Sequence, residues 1–377
     1  MQLTARAARN LLIGGAALFA LAIGGPSARP DEASGTWSGT LEGRGNYYWE
    51  RSTRVVVPEG RLDLEAPNGI RMYGEYLVDV ISSASIGQGV EEDGVLTELR
   101  HGVGAGVGKE LDFGSSQLDL SIHGTFSTEN DYKSWIYGLD TALSFAERNT
   151  KLNLGVTRVS DDITANNDPA WSGELDGVIA SLGVEQVLGP RLTFSLGYQL
   201  AYLEGFLGNA YRRVLFEQGA PPRESPPDQR LRHNLTARVA IALPTGTALH
   251  VLNRGYLDSW EIAAITPELR VYQELGQSSI VRLRYRFYAQ SAAEFARDTP
   301  YPGSPADYGG GTTNDPKLLA MRTHTLGIAF EQRLEFLAGS FLDFAEQAWI
   351  DVSLERYWST TTFGNGVIGT AGGRLPF

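Results

Sequence analysis

The sequence predicts an all-β protein, a transmembrane antiparallel up-and-down β-barrel of about sixteen strands. Three observations lead to this prediction. Apolar and polar residues alternate in runs of about ten, short and long connections alternate between those runs, and the N-terminus resembles an export signal. Fourteen strands remain the alternative, because the pattern of segment 36–66 is ambiguous.

The N-terminal segment has the three parts of a secretory signal peptide. Arg6 and Arg9 precede an apolar run over 11–23, and small residues follow. The run is short for a membrane-spanning helix. We assign 1–28 to a signal peptide, whose cleavage bond the sequence does not fix, and 35–377 to a single barrel domain.

The composition narrows the class of protein further. The chain has no cysteine, so an exported fold needs a large core or a closed hydrogen-bonded sheet in place of disulfides. Its 44 glycines, 16 tyrosines and 15 phenylalanines suit turns and strands of a β-protein. The net charge of −12 argues against a nucleic-acid partner, which requires a basic surface.

The run "IVRLRYRFYAQ" over 280–290 shows the alternation most clearly. As a strand it places Arg282, Arg284 and Arg286 on one face and apolar side chains on the other. A soluble sandwich would turn the arginines to water, whereas a membrane barrel turns them into its lumen. Like charges at this spacing repel unless acidic partners or anions lie nearby. Acidic residues with the same inward parity are Asp79, Asp119, Asp140, Asp351 and Glu355.

The connections between strands favour a membrane barrel over a sandwich. Short ones include "ERNTK", "PTG" and "GQSS", and long ones cover 160–174, 204–229 and 291–316. Transmembrane barrels have tight periplasmic turns and longer external loops. The final alternating strand ends in Phe377, which resembles the assembly signal of bacterial outer-membrane barrels.

Glycines repeat along one predicted strand in "GVGAGVGKE". The string lacks the glycine spacing and the Ser or Thr of a phosphate-binding loop. As a strand it places four glycines on the lumenal face, leaving room for a loop, a plug or a ligand; easing of strand bending is the equal alternative. These glycines are Gly102, Gly104, Gly106 and Gly108.

No motif predicts catalysis or a bound metal. Asp119, Ser121 and His123 share one face of one strand, but side chains two residues apart point in parallel, whereas a nucleophile must touch its base. The histidines show no metal-binding spacing. The acidic loops "EEDG", "STEND" and "SDDITANND" lack EF-hand spacing, so we interpret them as solvated rather than as calcium sites. We expect no cofactor, no metal and no enzymatic activity.

Aromatic residues cluster near strand ends. Tyr47, Tyr48 and Trp49, and later Tyr357 and Trp358, suit an aromatic girdle at a membrane interface better than a sugar-binding platform.

Five strings carry a resemblance to a known family. They are "VDVISSAS" from Val78, "STENDYKS" from Ser127, "GNAYRRV" from Gly208, "LDSWEI" from Leu257 and "YRFYAQSAAEF" from Tyr285. Spread over most of the chain, they resemble the bacterial domain-of-unknown-function 3570 family. The resemblance implies an outer-membrane-type barrel of a Gram-negative bacterium and no established activity.

The sequence therefore predicts a porin-like barrel of the Gram-negative outer membrane that passes small polar or charged solutes. The charged lumen would set its selectivity, as rings of charge do in pores. A closed scaffold barrel with docking partners is the alternative, and an outer-membrane hydrolase ranks last. Expected partners are membrane lipid, lipopolysaccharide and the barrel-assembly machinery, and the oligomeric state stays open.

Overall fold

The computed structural model describes residues 36–51, 53–84, 95–361 and 364–377. These residues form a closed antiparallel barrel, which confirms the all-β prediction and the count of sixteen strands. The predicted signal peptide at 1–28 lies outside the described residues. The strands are β1 (Ser38–Glu50), β2 (Thr53–Glu65), β3 (Ile70–Ala84), β4 (Val95–Asp112), β5 (Gln117–Thr128), β6 (Tyr132–Phe145), β7 (Thr150–Thr164), β8 (Ser172–Gly189), β9 (Leu192–Gly205), β10 (Gln229–Ala242), β11 (Thr247–Asp258), β12 (Ala263–Leu275), β13 (Ser279–Gln290), β14 (Met321–Arg333), β15 (Trp349–Ser359) and β16 (Gly366–Pro376).

Every strand is hydrogen-bonded to the strands next to it in the chain, and β1 closes the ring by pairing with β16. The ambiguous segment 36–66 forms two of these strands. Closure satisfies the backbone groups of both edges, which would otherwise stay unpaired. Among the described residues, no helix is long and apolar enough to span a bilayer.

The alternation in the sequence becomes the two faces of the barrel wall. On β13, Leu283 is 52% exposed on the outer surface, whereas the side chain of its neighbour Arg284 is 18% exposed in the lumen. Similar exposed apolar residues occur on the other strands, including Leu139, Val156, Leu235 and Ile328. The outer surface is therefore an apolar belt, and the lumen holds the charged groups.

The connections sort by length at the two ends of the barrel. We call the end that carries the long connections 206–228 and 291–320 the loop end, and the opposite end the turn end. The predicted alternation is less strict than expected. Connections 129–131 and 259–262 are short although they lie at the loop end, and 334–348 is long although it lies at the turn end. This last connection contains two short 3-10 helices, Glu335–Leu337 and Asp343–Ala345.

Tight turns at the turn end use glycine where the backbone needs a positive φ. Gly246 between β10 and β11 has φ 72°, and Gly276 between β12 and β13 has φ 74°. This left-handed conformation strains residues with a Cβ atom. The strings "PTG" and "GQSS" were therefore correctly interpreted as hairpin turns.

The predicted aromatic girdle is only partly on the outer surface. Tyr47 and Trp49 are 39% and 42% exposed there. Tyr48 and Tyr357, however, have the opposite parity and face the lumen, where their hydroxyls lie 2.7 Å apart. Both hydroxyls also donate to Glu50. Assigning Tyr48 and Tyr357 to the girdle was wrong, because consecutive residues of a strand point to opposite faces.

Three histidines on the outer surface each share a hydrogen bond with a tyrosine on the neighbouring strand. The pairs are Tyr76 with His101 at 2.7 Å, Tyr198 with His233 at 2.7 Å and Tyr285 with His324 at 2.9 Å. Each pair joins amphipathic rings, which favour the boundary between an apolar and an aqueous phase.

Candidate functional site: a charged lumen beneath a folded cap

Arg284 lies at the centre of a lumenal ion-pair network. Its Nη1 is 2.6 Å from Glu355 Oε2 on β15, and its Nη2 is 2.8 Å from Glu268 Oε2 on β12. Arg270 also binds Glu268, through the other carboxylate oxygen. The Arg284 guanidinium therefore links β12, β13 and β15. The middle arginine of the predicted ladder thus has a structural role in the barrel wall.

Gly327 on β14 allows Glu355 to reach Arg284 across an intervening strand. A Cβ atom at this position would lie 2.8 Å from Glu355 Cγ and 3.1 Å from Cδ. Such contacts are too close for the side chain to remain where it is. The missing side chain thus provides the space that the ion pair needs.

The other predicted acidic residues also face the lumen, and each has a basic partner. Asp351 lies 3.3 Å from Arg44, and the carboxylate of Asp140 lies 3.1 Å from His123 Nδ1. Asp119 pairs with Arg71, and Asp79 pairs with Arg100 in almost complete burial. Their placement in the lumen agrees with the parity argument, while their role in selectivity stays a prediction.

The glycine strip on β4 faces the lumen but does not leave an open space. Side chains of β3 lie over it: a Cβ atom on Gly102 would be 3.0 Å from Leu77 Cγ, and one on Gly104 would be 2.7 Å from Glu75 Cγ. Gly106 is covered by Tyr73, and Gly108 lies against Ser121. The expected room for a plug or ligand is filled, because long lumenal side chains lean over the neighbouring strand.

Ser121, His123 and Asp140 come close together through the register of β5 and β6. Ser121 is directly opposite Asp140, and His123 is opposite Gly138. His123 turns its Nδ1 to Asp140. In the described part of the chain no hydrogen bond joins Ser121 to His123, so the nucleophile–base contact of a hydrolase is not formed.

The connections 206–228 and 291–320 fold together at the loop end, and we call them the cap. Isolated β-bridges join them, between Phe216 and Tyr301 and between Ser225 and Thr312. Tyr301 is 2% exposed, and its hydroxyl accepts a hydrogen bond from Thr313 N at 2.9 Å. The long loops are thus an ordered layer rather than separate excursions.

The cap packs on the lumenal side of the wall. Its residues Leu207, Ala210, Ala293 and Leu318 share one apolar cluster with the inward-facing Tyr132, Ile163, Leu175 and Leu203 of β6 to β9. On the other side of the mouth, Lys317 lies within electrostatic range of Glu50 on β1. The cap therefore reaches across the mouth of the barrel.

A buried ion cluster holds the two cap connections to each other. Arg212 Nη1 lies 2.5 Å from Asp315 Oδ2 and 3.7 Å from Glu224 Oε2, and all three side chains are at most 4% exposed. Burial opposes ionisation of Asp315, but nearby positive charge, led by Arg212, together with the backbone N–H of Lys317 lowers the pKa of Asp315 to about 2. Burial raises the pKa of Glu224 despite Arg212. Asp315 is therefore the principal counter-ion of Arg212.

A second anchor joins the cap to the barrel at connection 259–262. Asp258 accepts hydrogen bonds from Arg230 Nε at 2.9 Å and from the backbone N–H groups of Trp260 and Ile262, each at 3.0 Å. Trp260 belongs to the apolar cluster of the cap, and its ring lies 4.0 Å from the Arg230 guanidinium. The cap thus rests on a fixed pair of charges in the wall.

Sequence reasoning missed the cap and both of its charged anchors. The long connections were predicted only as external loops, and Arg212, Glu224, Asp315 and Asp258 were not singled out. Their only local signal is charge beside apolar residues in segments without strand periodicity.

Comparisons with solved structures agree with the barrel fold. A bacterial polysaccharide outer membrane secretin is similar with a TM-score of 0.50 at 10% identity, over 91% of this chain and 99% of that one. The siderophore receptor PirA of Pseudomonas aeruginosa gives a TM-score of 0.45 at 10% identity, over 91% of this chain. The present chain spans 62% of that receptor's length. No curated protein matches the sequence.

The comparison with protein families gives a match over residues 172–372, to a family described as a protein of unknown function (DUF3570). The match covers β8 to β15 and most of β16, together with the whole cap. The strings from Val78 and Ser127 lie outside it, so the resemblance is narrower than their spread implied. Because more than half of the 377 residues match, the chain belongs to the DUF3570 family.

Proposed function

We propose that the protein is a gated conduit of the Gram-negative outer membrane, through which small charged solutes pass when the cap moves. The observation that carries this proposal is the combination of an apolar outer belt, a lumen lined by charged side chains and a cap across one mouth. The likeness of the fold to an outer-membrane secretin supports the membrane location. The loop end then faces outside, and the conduit is not enzymatic.

The cap distinguishes this proposal from a permanently open porin. Its apolar cluster and buried ion cluster hold the two cap connections together and against the lumenal wall at the loop end. A solute therefore requires movement of connections 206–228 and 291–320. Separating the two connections breaks two isolated β-bridges, the backbone hydrogen bonds beside them and the Arg212 ion cluster, but no continuous strand ladder in the described residues.

A reversible crosslink tests this mechanism. The chain has no cysteine, so a Ser225→Cys, Thr312→Cys variant places one thiol on each cap connection at positions joined by a β-bridge. Single-channel conductance of the folded protein is recorded in planar bilayers under oxidising and then reducing conditions, with the unchanged protein as control. We expect channel openings that disappear on oxidation and return on reduction. Silence of both folded proteins under both conditions would reject the conduit.

A closed scaffold barrel is the second candidate, and one observation favours it. Four of the five predicted lumenal carboxylates pair with an arginine, as in a charge-paired core. Its partners would dock at the loops or turns. A silent but folded barrel in the crosslinking experiment would support this candidate.

A further inference from the structure

The inward faces of β10 to β13 carry a large surplus of positive charge. Away from the turn end, the carboxylates on these inward faces are Asp258 and Glu268. Asp258 pairs with Arg230, and Glu268 pairs with Arg270 and Arg284. The inward arginines on these strands are Arg230, Arg232, Arg238, Arg254, Arg270, Arg282, Arg284 and Arg286. The surplus is local, since the protein as a whole has a net charge of −12.

Four of these arginines have no ionic partner in the part of the chain that the structure describes. They are Arg232 on β10, Arg254 on β11, and Arg282 and Arg286 on β13. Each is half-buried in the lumen, and the Nε of Arg232 is buried without a hydrogen-bond acceptor. Removing a charge from water without a counter-ion is costly, so this arrangement favours a bound anion.

Arg254 and Arg286 lie in the same part of the lumen, below the cap. Arg286 is opposite Glu268 in the register, and Arg254 is opposite Thr266, two residues from Glu268. Arg286 is within electrostatic range of Arg254, and Tyr288 is within range of Arg286, Arg230 and Asp258. Arg232 lies outside this group, because it is opposite Asp258, four residues or about 13 Å along β11 from Arg254. Trp260, which belongs to the cap cluster, covers Arg230 at the top of this group.

We propose that Arg254 and Arg286 form a binding site for a small oxyanion of the phosphate type, between the cap and the Arg284 network. Planar guanidinium groups donate paired N–H groups that match the oxygen atoms of phosphate. Glu268 and Glu355 hold Arg284 out of the site, and Asp258 holds Arg230. The inference rests on the proposed conduit for its purpose, because it names the class of solute that the conduit would accept.

The first test is calorimetric titration of the folded, detergent-solubilised protein with inorganic phosphate at about 0.1 M ionic strength. Single variants Arg254→Gln and Arg286→Gln should each weaken phosphate binding at least about tenfold, the scale of one charge-assisted hydrogen bond. Arg254→Lys, which keeps the charge but loses the paired donors, should weaken it less. Chloride should compete poorly, since a sphere does not use the guanidinium geometry.

Arg282→Gln is the matched control. Arg282 faces the same lumen and has no ionic partner in the described residues, but it lies four residues along β13 from Arg286, about 13 Å away. Its replacement should leave phosphate binding unchanged. No saturable phosphate binding by the unchanged protein, or equal losses in all three glutamine variants, would overturn the site.

Bilayer recordings of the same samples separate the two proposals. Phosphate binding without any conductance leaves the oxyanion site intact and rejects the conduit. Conductance that shows no dependence on phosphate and no change in Arg286→Gln keeps the conduit and rejects the site.

Discussion

Asp258 on β11 and Arg230 on β10 form an ion pair beneath the cap, and the Asp258 side chain has no exposed surface. The same carboxylate receives two backbone N–H groups of connection 259–262 and the hydroxyl of Tyr256 at 2.5 Å. The Asp258 side chain therefore joins two strands of the wall, positions Trp260 and holds the Arg230 side chain in place.

Replacing Asp258 should lower the free energy of unfolding more than removing an exposed ion pair does. We expect Asp258→Asn to lower the free energy of unfolding by about 3–5 kcal/mol, because it leaves Arg230 buried without its counter-ion. The measurement is urea unfolding in lipid vesicles, followed by tryptophan fluorescence.

Glu335→Gln is the control for Asp258→Asn. It removes the pair between Arg333 and Glu335, whose side chains are 38% and 42% exposed, so the loss should be at most about 1 kcal/mol. Equal effects of the two changes would contradict the anchoring role of Asp258.

The stability of the cap should depend on pH through Asp315. Its pKa falls from an ordinary value of 3.8 to about 2 in the folded cap. The stabilisation is therefore present above the ordinary value and is lost as the pH falls from about 4 towards 2. Glu224 acts with the opposite sign, because a raised pKa favours the folded cap at low pH and disfavours it as the pH rises through that pKa.

Comparison with Asp315→Asn isolates this effect. The protected state of the cap can be measured by amide hydrogen exchange over 206–228 and 291–320. Above pH 4 the variant should exchange faster than the unchanged protein, and the difference should shrink as the pH approaches 2. A difference that does not vary over this window would contradict the assignment.

The members of the arginine ladder should differ in their effect on stability. Arg284→Gln breaks contacts with Glu268 and Glu355 and should destabilise the barrel by about 3 kcal/mol or more. Arg282→Gln breaks no ion pair in the described residues and should change stability little. Urea unfolding of both variants gives the comparison, and a ladder of equivalent residues would show no difference.

A side chain at position 327 should disrupt the same network from a different strand. Gly327→Ala places a Cβ atom 2.8 Å from Glu355 Cγ, so Glu355 must move away from Arg284. We expect a loss of about 1–3 kcal/mol in unfolding free energy. Gly255→Ala on β11 meets no atom within 4 Å and serves as the control.

Strand periodicity predicted which residues face the lumen, because the direction of a side chain in a strand depends on its neighbours in the sequence. Arg282, Arg284 and Arg286 could therefore be placed correctly. Which of them is paired could not, since that depends on Gly327 and Glu355 on other strands. Tyr48 and Tyr357 were predicted on the outer surface but face the lumen. Their position near a strand end was therefore a weaker guide than the alternation of side chains along the strand.

The cap was beyond sequence reasoning for a related reason. Its contacts join residues far apart in the chain, such as Thr313 and Glu224, which are 89 positions apart and share a 2.6 Å hydrogen bond. Proline and glycine in these segments indicate irregular backbone but not which surfaces meet. The register of β5 and β6 likewise brought Asp140 to His123, which no local motif indicated.

Closure of the ring between β1 and β16 gives the barrel a seam. At the turn end, Gly39 and Phe377 exchange two backbone hydrogen bonds of 2.8 and 2.9 Å. The absent Cβ of Gly39 leaves space for the Phe377 ring. This seam joins β1 to β16, which lie farthest apart in the sequence, so its formation closes the longest loop of the barrel and we expect it late in folding. Until then two open edges expose unpaired backbone groups, each able to recruit a foreign strand. We therefore expect a chain that lacks one of these strands to aggregate rather than to form a smaller barrel.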